Sequence, residues 1–135
     1  MIDDSPDDTA ALTAILRRHG HRVLEASTAV QGLRLARSYH PVLILLDIHL
    51  PDISGTILAT ALRFDPGTSA VPIIVVTSDR DARAREEIDA AGVDAVLYKP
   101  VPETDLMRAV GALLGAPPGR APEDPDRDPD TDPPT

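Results

Sequence analysis

The chain has no cysteine, no tryptophan, one phenylalanine and a single lysine. Without cysteine there can be neither a disulfide framework nor a thiolate metal site. With so few aromatics, any core must be aliphatic, and hydrophobic residues make up 42% of the 135 positions, enough for one domain plus a tail. No apolar run approaches the roughly 20 residues of a membrane-spanning helix. The N-terminus is acidic, unlike a basic-then-apolar signal. The expectation is a cytoplasmic protein without a membrane contact. Positive charge is also scarce: 13 Lys and Arg stand against 22 Asp and Glu, for a net charge of −9. No basic patch is visible, which argues against direct binding of nucleic acid.

Composition breaks near Gly115. Beyond it runs APPGRAPEDPDRDPDTDPPT, in which closely spaced prolines deny both helix and sheet and little can pack. Residues 1–114 are expected to fold, and 115–135 to form a disordered acidic tail. The body alternates between two periodicities. Leu12, Ile15 and Leu16 share a helical face, with Ser5 and Pro6 as cap and first residue and Gly20 as stop. RVLEA reads as a short strand. Helices follow over Thr28–Ser38, Ser54 to about Phe64, Asp81–Ala91 and from Pro102 onward. PVLILLD and VPIIVVTS are continuous apolar runs suited to strands buried on both faces, and DAVLY is strand-like. Strands alternating with helices imply βαβ units and a parallel sheet covered on both faces. In such sheets ligands sit at the carboxyl ends of the strands.

Those ends carry polar residues: Asp3 and Asp4 after Met1–Ile2, Asp47 after the third strand, Thr77 and Ser78 after the fourth, and Lys99 after the fifth. Three carboxylates brought close repel one another. A hard divalent cation with oxygen ligands would relieve that, and Mg²⁺ binds through one or two carboxylates plus a phosphate. Lys99 stands alone as an ammonium in a chain whose other cations are arginines. It suits a phosphoryl group as a point charge. Thr77 adds a hydroxyl donor. A cation, an ammonium and a hydroxyl around a carboxylate fit an aspartyl-phosphate, with the carboxylate as nucleophile. Each piece alone has an ordinary explanation as a turn, a cap or a solvated side chain; the joint occurrence carries the reading.

LILLDIHLPDISG, PIIVVTS and GVDAVLYKP, in that order, together with IDDSPDD at the start, resemble response-regulator receiver domains. The resemblance covers residues 1–114. It implies a flavodoxin-like, doubly wound α/β fold with a five-stranded parallel sheet in the order 2-1-3-4-5. It makes Asp47 the phosphoacceptor of a two-component phosphorelay. Asp4 becomes a direct Mg²⁺ ligand, Asp3 its neighbour holding metal and water, and the backbone carbonyl of His49 a further metal ligand. Lys99 would contact the phosphoryl oxygens and Thr77 would swing towards them. Lys99–Pro100 is similar to a bond that is cis in the family, and Pro51 and Gly55 match the loop after the acceptor. The implied donor is a histidine kinase or phosphotransfer protein, with a downstream partner protein reading the switch. Such a protein catalyses only its own phosphorylation and dephosphorylation, as a monomer or weak dimer.

The sequence departs from the family at two places. Only Met1 and Ile2 precede the acidic pair, so the first strand is truncated. Val96 occupies the position three before the lysine where receivers often carry an aromatic, whereas Tyr98 lies one before it. His19, His21 and His40 read as surface or cap residues. His49 is either a side chain over the phosphoryl site or a solvated loop histidine, and Asp79 either occupies a similar position or caps a helix. The Asp81–Ala91 helix has few large apolar residues and should be loosely held. Two other functions compete with this one. One is a phosphorylation-independent interaction module on the same fold. The other is an aspartyl phosphatase, disfavoured because His49 stands where such enzymes place a second acid. One prediction concerns the short strand: about four apolar residues added before Met1, the length of a short strand, should raise the denaturant midpoint. Equal midpoints for the two versions would remove the expectation.

Overall fold

Ile73–Thr77 forms a strand in which every residue is buried. Its β-branched run is flanked on both sides by parallel partners. In this computed structural model, which describes residues 1–115, the elements run α1 (Pro6–Arg18), α2 (Ala29–Tyr39), β1 (Ile44–Leu46), α3 (Gly55–Phe64), β2 (Ile73–Thr77), α4 (Ala82–Ala90), β3 (Ala95–Tyr98) and α5 (Glu103–Leu114). The sheet order is β1-β2-β3, with Ile44 opposite Ile73, Ile74 opposite Ala95 and Thr77 opposite Tyr98. Alternate residues of β2 face opposite sides, as the pleat requires. Ile74 and Val76 pack with Leu12, Leu16, Leu106 and Val110 of α1 and α5. Ile73 joins Leu58 and Leu62 of α3, while Val75 meets Ala84 and Ile88 of α4. The helices therefore cover both faces of a parallel sheet, as expected.

Of the five expected strands, three are continuous among the described residues, the first is short as expected, and the RVLEA strand is shorter than expected. The other two are reduced to isolated parallel bridges, Ile2 to Ala26 on one side and Ile2 to Leu46 on the other. Ile2 donates its N–H to Leu45 O (2.8 Å), and its carbonyl accepts from Asp47 N–H (2.9 Å). The lateral order Ala26, Ile2, β1, β2, β3 preserves 2-1-3-4-5. Along RVLEA the backbone contacts to this segment are the Met1 amine to Leu24 O (2.9 Å), Ala26 N–H to Met1 O (2.9 Å) and Asp3 N–H to Ala26 O (3.0 Å).

Helix starts follow the sequence signals closely. Ser5, Thr28 and Ser54 are N-caps whose hydroxyls accept from backbone N–H groups, and Pro6 opens α1. Gly20 has φ +90°, a region that favours glycine after a helix. α4 is held by Ala84 and Ile88 alone among its buried residues, and its N-cap, Asp81, makes no side-chain capping bond. The acidic run beyond Gly115 lies outside the described residues.

Gly55 opens α3 directly against β1. A Cβ there would meet the Asp47 carbonyl oxygen and Ile48 Cα (2.6 Å), both backbone atoms that cannot rotate away. Gly55→Ala should therefore cost about 1–3 kcal/mol of stability through forced backbone movement, read as a lowered urea midpoint. An unchanged midpoint would show that α3 can back off freely.

Candidate functional site

Three segments end on one rim of the sheet. Ile2, pinned between Ala26 and Leu46, delivers Asp3 and Asp4; β1 delivers Asp47; β3 delivers Lys99. The carboxylates of Asp3, Asp4 and Asp47 each offer an oxygen, all within 4.8 Å of one another. Asp3 and Asp47 are buried, while Asp4 is exposed. Lys99 reaches into this group. Its Nζ donates to Asp3 Oδ2 (2.8 Å), Asp47 Oδ2 (3.1 Å) and Asp8 Oδ2 (2.9 Å). The ammonium's three protons thus meet three carboxylates. The Lys99–Pro100 peptide is cis, as the resemblance implies.

Asp8 was missed in the sequence. It lies in the first turn of α1, and the second acidic pair of IDDSPDD was the signal available. Once Pro6 starts the helix, Asp8 falls at its third position, over the same rim. Asp52 was missed too. Its carboxylate accepts from the N–H groups of Ala29 (2.8 Å) and Val30 (3.0 Å). It satisfies two free donors at the start of α2 and ties down the loop that follows Asp47. Those bonds hold Asp52 below the usual carboxylate range.

The charges set the electrostatics. Burial pushes the Asp47 carboxyl up. The His49 N–H (3.2 Å from Oδ1) and Lys99 oppose that, and the Asp3 charge adds to it. Burial works against the Lys99 ammonium, but hydrogen bonds to Asp3, Asp8 and Asp47 outweigh it and raise its pKa. The bond from Lys99 holds Asp8 below its ordinary value. Asp47 is thus an acid whose ionised form is short of compensation, beside an ammonium that stays charged.

Thr77 is fully buried at the end of β2. Its hydroxyl accepts from Asp79 N–H (3.1 Å) rather than turning to Asp47. The cap of α4 is Asp81, not Asp79, which corrects one of the two readings of Asp79. The Asp79 carboxylate instead accepts from Asp81 N–H (3.0 Å) and pairs with His49 Nε2 (2.8 Å). His49 and Asp79 therefore bridge the loops after β1 and β2. Val96 packs against the Ile48, Val75, Ala84 and Ile88 cluster. Tyr98, two residues on, lies with Arg80 over its ring (4.5 Å) and Arg85 Nη1 at its hydroxyl (3.3 Å).

A parallel α/β sheet with acids and a lysine gathered at its carboxyl rim defines the class of the protein. The family model of the response regulator receiver domain matches residues 1–111, and the chain belongs to that family. It is 37% identical over 114 residues to protein PilH of Pseudomonas aeruginosa, spanning 84% of this chain and 94% of that one. It is 27% identical over 115 residues to the polar-differentiation response regulator DivK of Brucella ovis, covering 85% and 94%. Among solved structures, the receiver domain of a Pseudomonas aeruginosa sensor histidine kinase, crystallised with magnesium coordinated in its active-site cleft, has a TM-score of 0.80 at 29% identity over 85% of this chain and 94% of that one. A CheY-like receiver from Methanospirillum hungatei has a TM-score of 0.76 at 32% identity, covering 84% and 90%. No helix among the described residues is long and apolar enough to cross a membrane.

The two shifted acids predict opposite pH effects in metal-free protein. Asp47 is raised, so its ionised form costs stability above that raised pKa. Asp47→Asn should raise the urea midpoint at about pH 7, the gain fading towards about pH 3, where the wild-type acid is protonated folded or unfolded. Asp8 is lowered, so Asp8→Asn should lower the midpoint at neutral pH, with the loss fading as pH falls through the depressed pKa. A lower midpoint for Asp47→Asn at neutral pH would contradict the charge balance described.

Proposed function

We propose that the chain is the phosphoacceptor receiver of a two-component phosphorelay, with residues 1–114 as the signalling unit and Asp47 as the residue modified. The observation that carries this reading is the gathering of the Asp3, Asp4 and Asp47 carboxylates within 4.8 Å, closed on one side by Lys99. Oxygen donors of this kind fit Mg²⁺. Asp4 and Asp47 would hold the ion with the His49 carbonyl, and Asp3 would support it. When bound, the metal supplies positive charge against the phosphoryl oxygens.

The remaining chemistry belongs to the chain. An Asp47 oxygen attacks the phosphorus of a phosphohistidine on a histidine kinase or phosphotransfer protein. The new O–P bond forms as the P–N bond breaks, and the imidazole leaves with its electron pair. Lys99 turns its charge to the transferred group. Thr77 gives up its bond from Asp79 N–H and donates its own proton to a phosphoryl oxygen. The altered loop after β2 presents a changed surface to a downstream partner in the cytoplasm. Nothing beyond its own phosphorylation and dephosphorylation is turned over. The intact acid set and Lys99 weigh against the phosphorylation-independent module.

Incubation with a small-molecule phosphodonor and Mg²⁺ should add one phosphoryl group, seen on a phosphate-affinity gel and by intact mass. Asp47→Ala should abolish it. Asp4→Asn should raise the Mg²⁺ concentration for half-reaction by at least about tenfold, equivalent to ~1.4 kcal/mol of binding. An unmodified wild type, or a fully modified Asp47→Ala, would sink the assignment.

A further inference from the structure

The outward side of α2 and α3 carries apolar side chains that the core does not use. Phe64 is 83% exposed and Ile57 57%, with Val30 and Ile53 exposed beside them. Single exposed apolar residues are ordinary, but these fall in a row. Ile57, Ala61 and Phe64 lie at i, i+4 and i+7 on one flank of α3, and Ala61 is exposed as well. The opposite flank of α3 looks elsewhere, since Arg63 reaches Gly92 O and the Asp94 carboxylate ahead of β3.

On α2, Val30, Arg34 and Arg37 repeat the same spacing, and their direction is fixed at both ends. Asp52, just before Ile53, accepts from Val30 N–H, and Arg37 pairs with Asp65, just after Phe64. The two helices therefore run side by side in the same sense. An apolar row on α3 lies along two guanidinium groups on α2.

The polar groups of this strip are largely satisfied already. Both oxygens of Asp52 accept backbone N–H groups, and both of Asp65 are taken, by Arg37 and by Gly67 N–H. Thr60 donates its hydroxyl to Thr56 O (3.0 Å). Arg34 is the exception: it is exposed, and its guanidinium has no hydrogen bond or ion pair among the described residues. Covering the strip buries apolar surface and leaves one positive charge in need of a partner. In a chain of net charge −9, that charge selects a carboxylate.

The backbone decides what shape of partner fits. Two helices offer no open ladder edge, so a strand has nothing to add to here, whereas anchors two turns apart along a shallow groove match an amphipathic helix. A second copy fits less well, because two such strips set together bring like charges near one another. An anionic membrane is repelled by the net charge of the chain.

We propose that the α2–α3 face binds an amphipathic helix of a partner protein, its apolar side on Ile57, Ala61 and Phe64 and a carboxylate on Arg34. The surface is separate from the loop after β2. It uses none of Asp47, Thr77 or Lys99, so it goes beyond the phosphoacceptor reading and is tested without a phosphodonor.

The test uses the full chain and an acetylated, amidated peptide of about 16 residues, long enough to hold a helix. Leucines stand at i, i+3, i+4 and i+7, with glutamates along one edge. In two-dimensional NMR, the amide signals of residues 30–37 and 57–64 should move with peptide concentration. Ile57→Ser and Phe64→Ser, both at exposed positions, should each weaken binding by about tenfold or more. The unliganded thermal midpoint should change no more than for ordinary surface substitutions. Arg34→Glu should weaken the glutamate-edged peptide about tenfold and favour a lysine-edged version. The proposal is overturned by no movement at millimolar peptide, by movement confined to α4 and β3, or by an Arg34→Glu variant that still prefers glutamate. Dimerisation of the free protein through these residues would assign the strip to a second copy and overturn it as well.

Discussion

One ammonium shared among three carboxylates is the contact on which the rest depends. Buried carboxylates that are neither paired nor hydrogen-bonded are expensive. Here Asp3 is wholly enclosed at its side chain and Asp47 nearly so. Lys99 links the acidic rim of the sheet to the start of α1 through Asp8. Four acids with one lysine still leave an excess of negative charge. The site is therefore balanced enough to fold while it retains uncompensated negative charge. Arginine would be a poor replacement, since its planar fork favours one carboxylate rather than three converging ones.

The sheet makes that gathering possible because its strands are too apolar to sit anywhere except between two helical layers. β2 is buried along its whole length, and β1 is buried throughout. With the strands fixed, the polar residue after each one has only the rim to occupy. Close backbone approach then sharpens the position. Gly55 lets α3 begin against the Asp47 carbonyl, and Asp52 ties the intervening loop to the start of α2. Asp47 is held from both directions along the chain, by a strand before it and an anchored loop after it.

The sequence was most readable where one residue type had one physical use. Continuous aliphatic runs announced the buried strands, and Ser5, Thr28 and Ser54 announced helix starts. The strand-end acids and Lys99 declared the site because their mutual repulsion and attraction need only rough proximity to matter. Asp8 and Asp52 escaped because their roles depend on where a helix start points in space, which local pattern does not encode. Asp79 was read two ways for a related reason: aspartates two residues apart can each cap a helix, and only the backbone decides that Asp81 does so. RVLEA reads as a strand from its propensity but keeps only the bridge at Ala26, since propensity says nothing about how long a stretch its neighbour offers for pairing.

The two sides of the site differ in what it takes to move them. The Lys99 contacts to Asp3 and Asp47 sit in partly dry surroundings, where opening either would leave a buried charge unpaired, whereas Asp8 is half-exposed. The His49–Asp79 pair spans the loops above and is open to solvent, with His49 two-thirds exposed. Exposed pairs contribute about 0–1 kcal/mol, so this contact gives way readily. The same loop carries the Thr77–Asp79 bond, then Arg80 against Tyr98, then the weakly capped start of α4. The Thr77 hydroxyl thus lies between the enclosed Lys99 contacts and an exposed loop. α4 buries only Ala84 and Ile88, and its Arg85 reaches Tyr98, so that loop joins a lightly buried helix to the edge of β3.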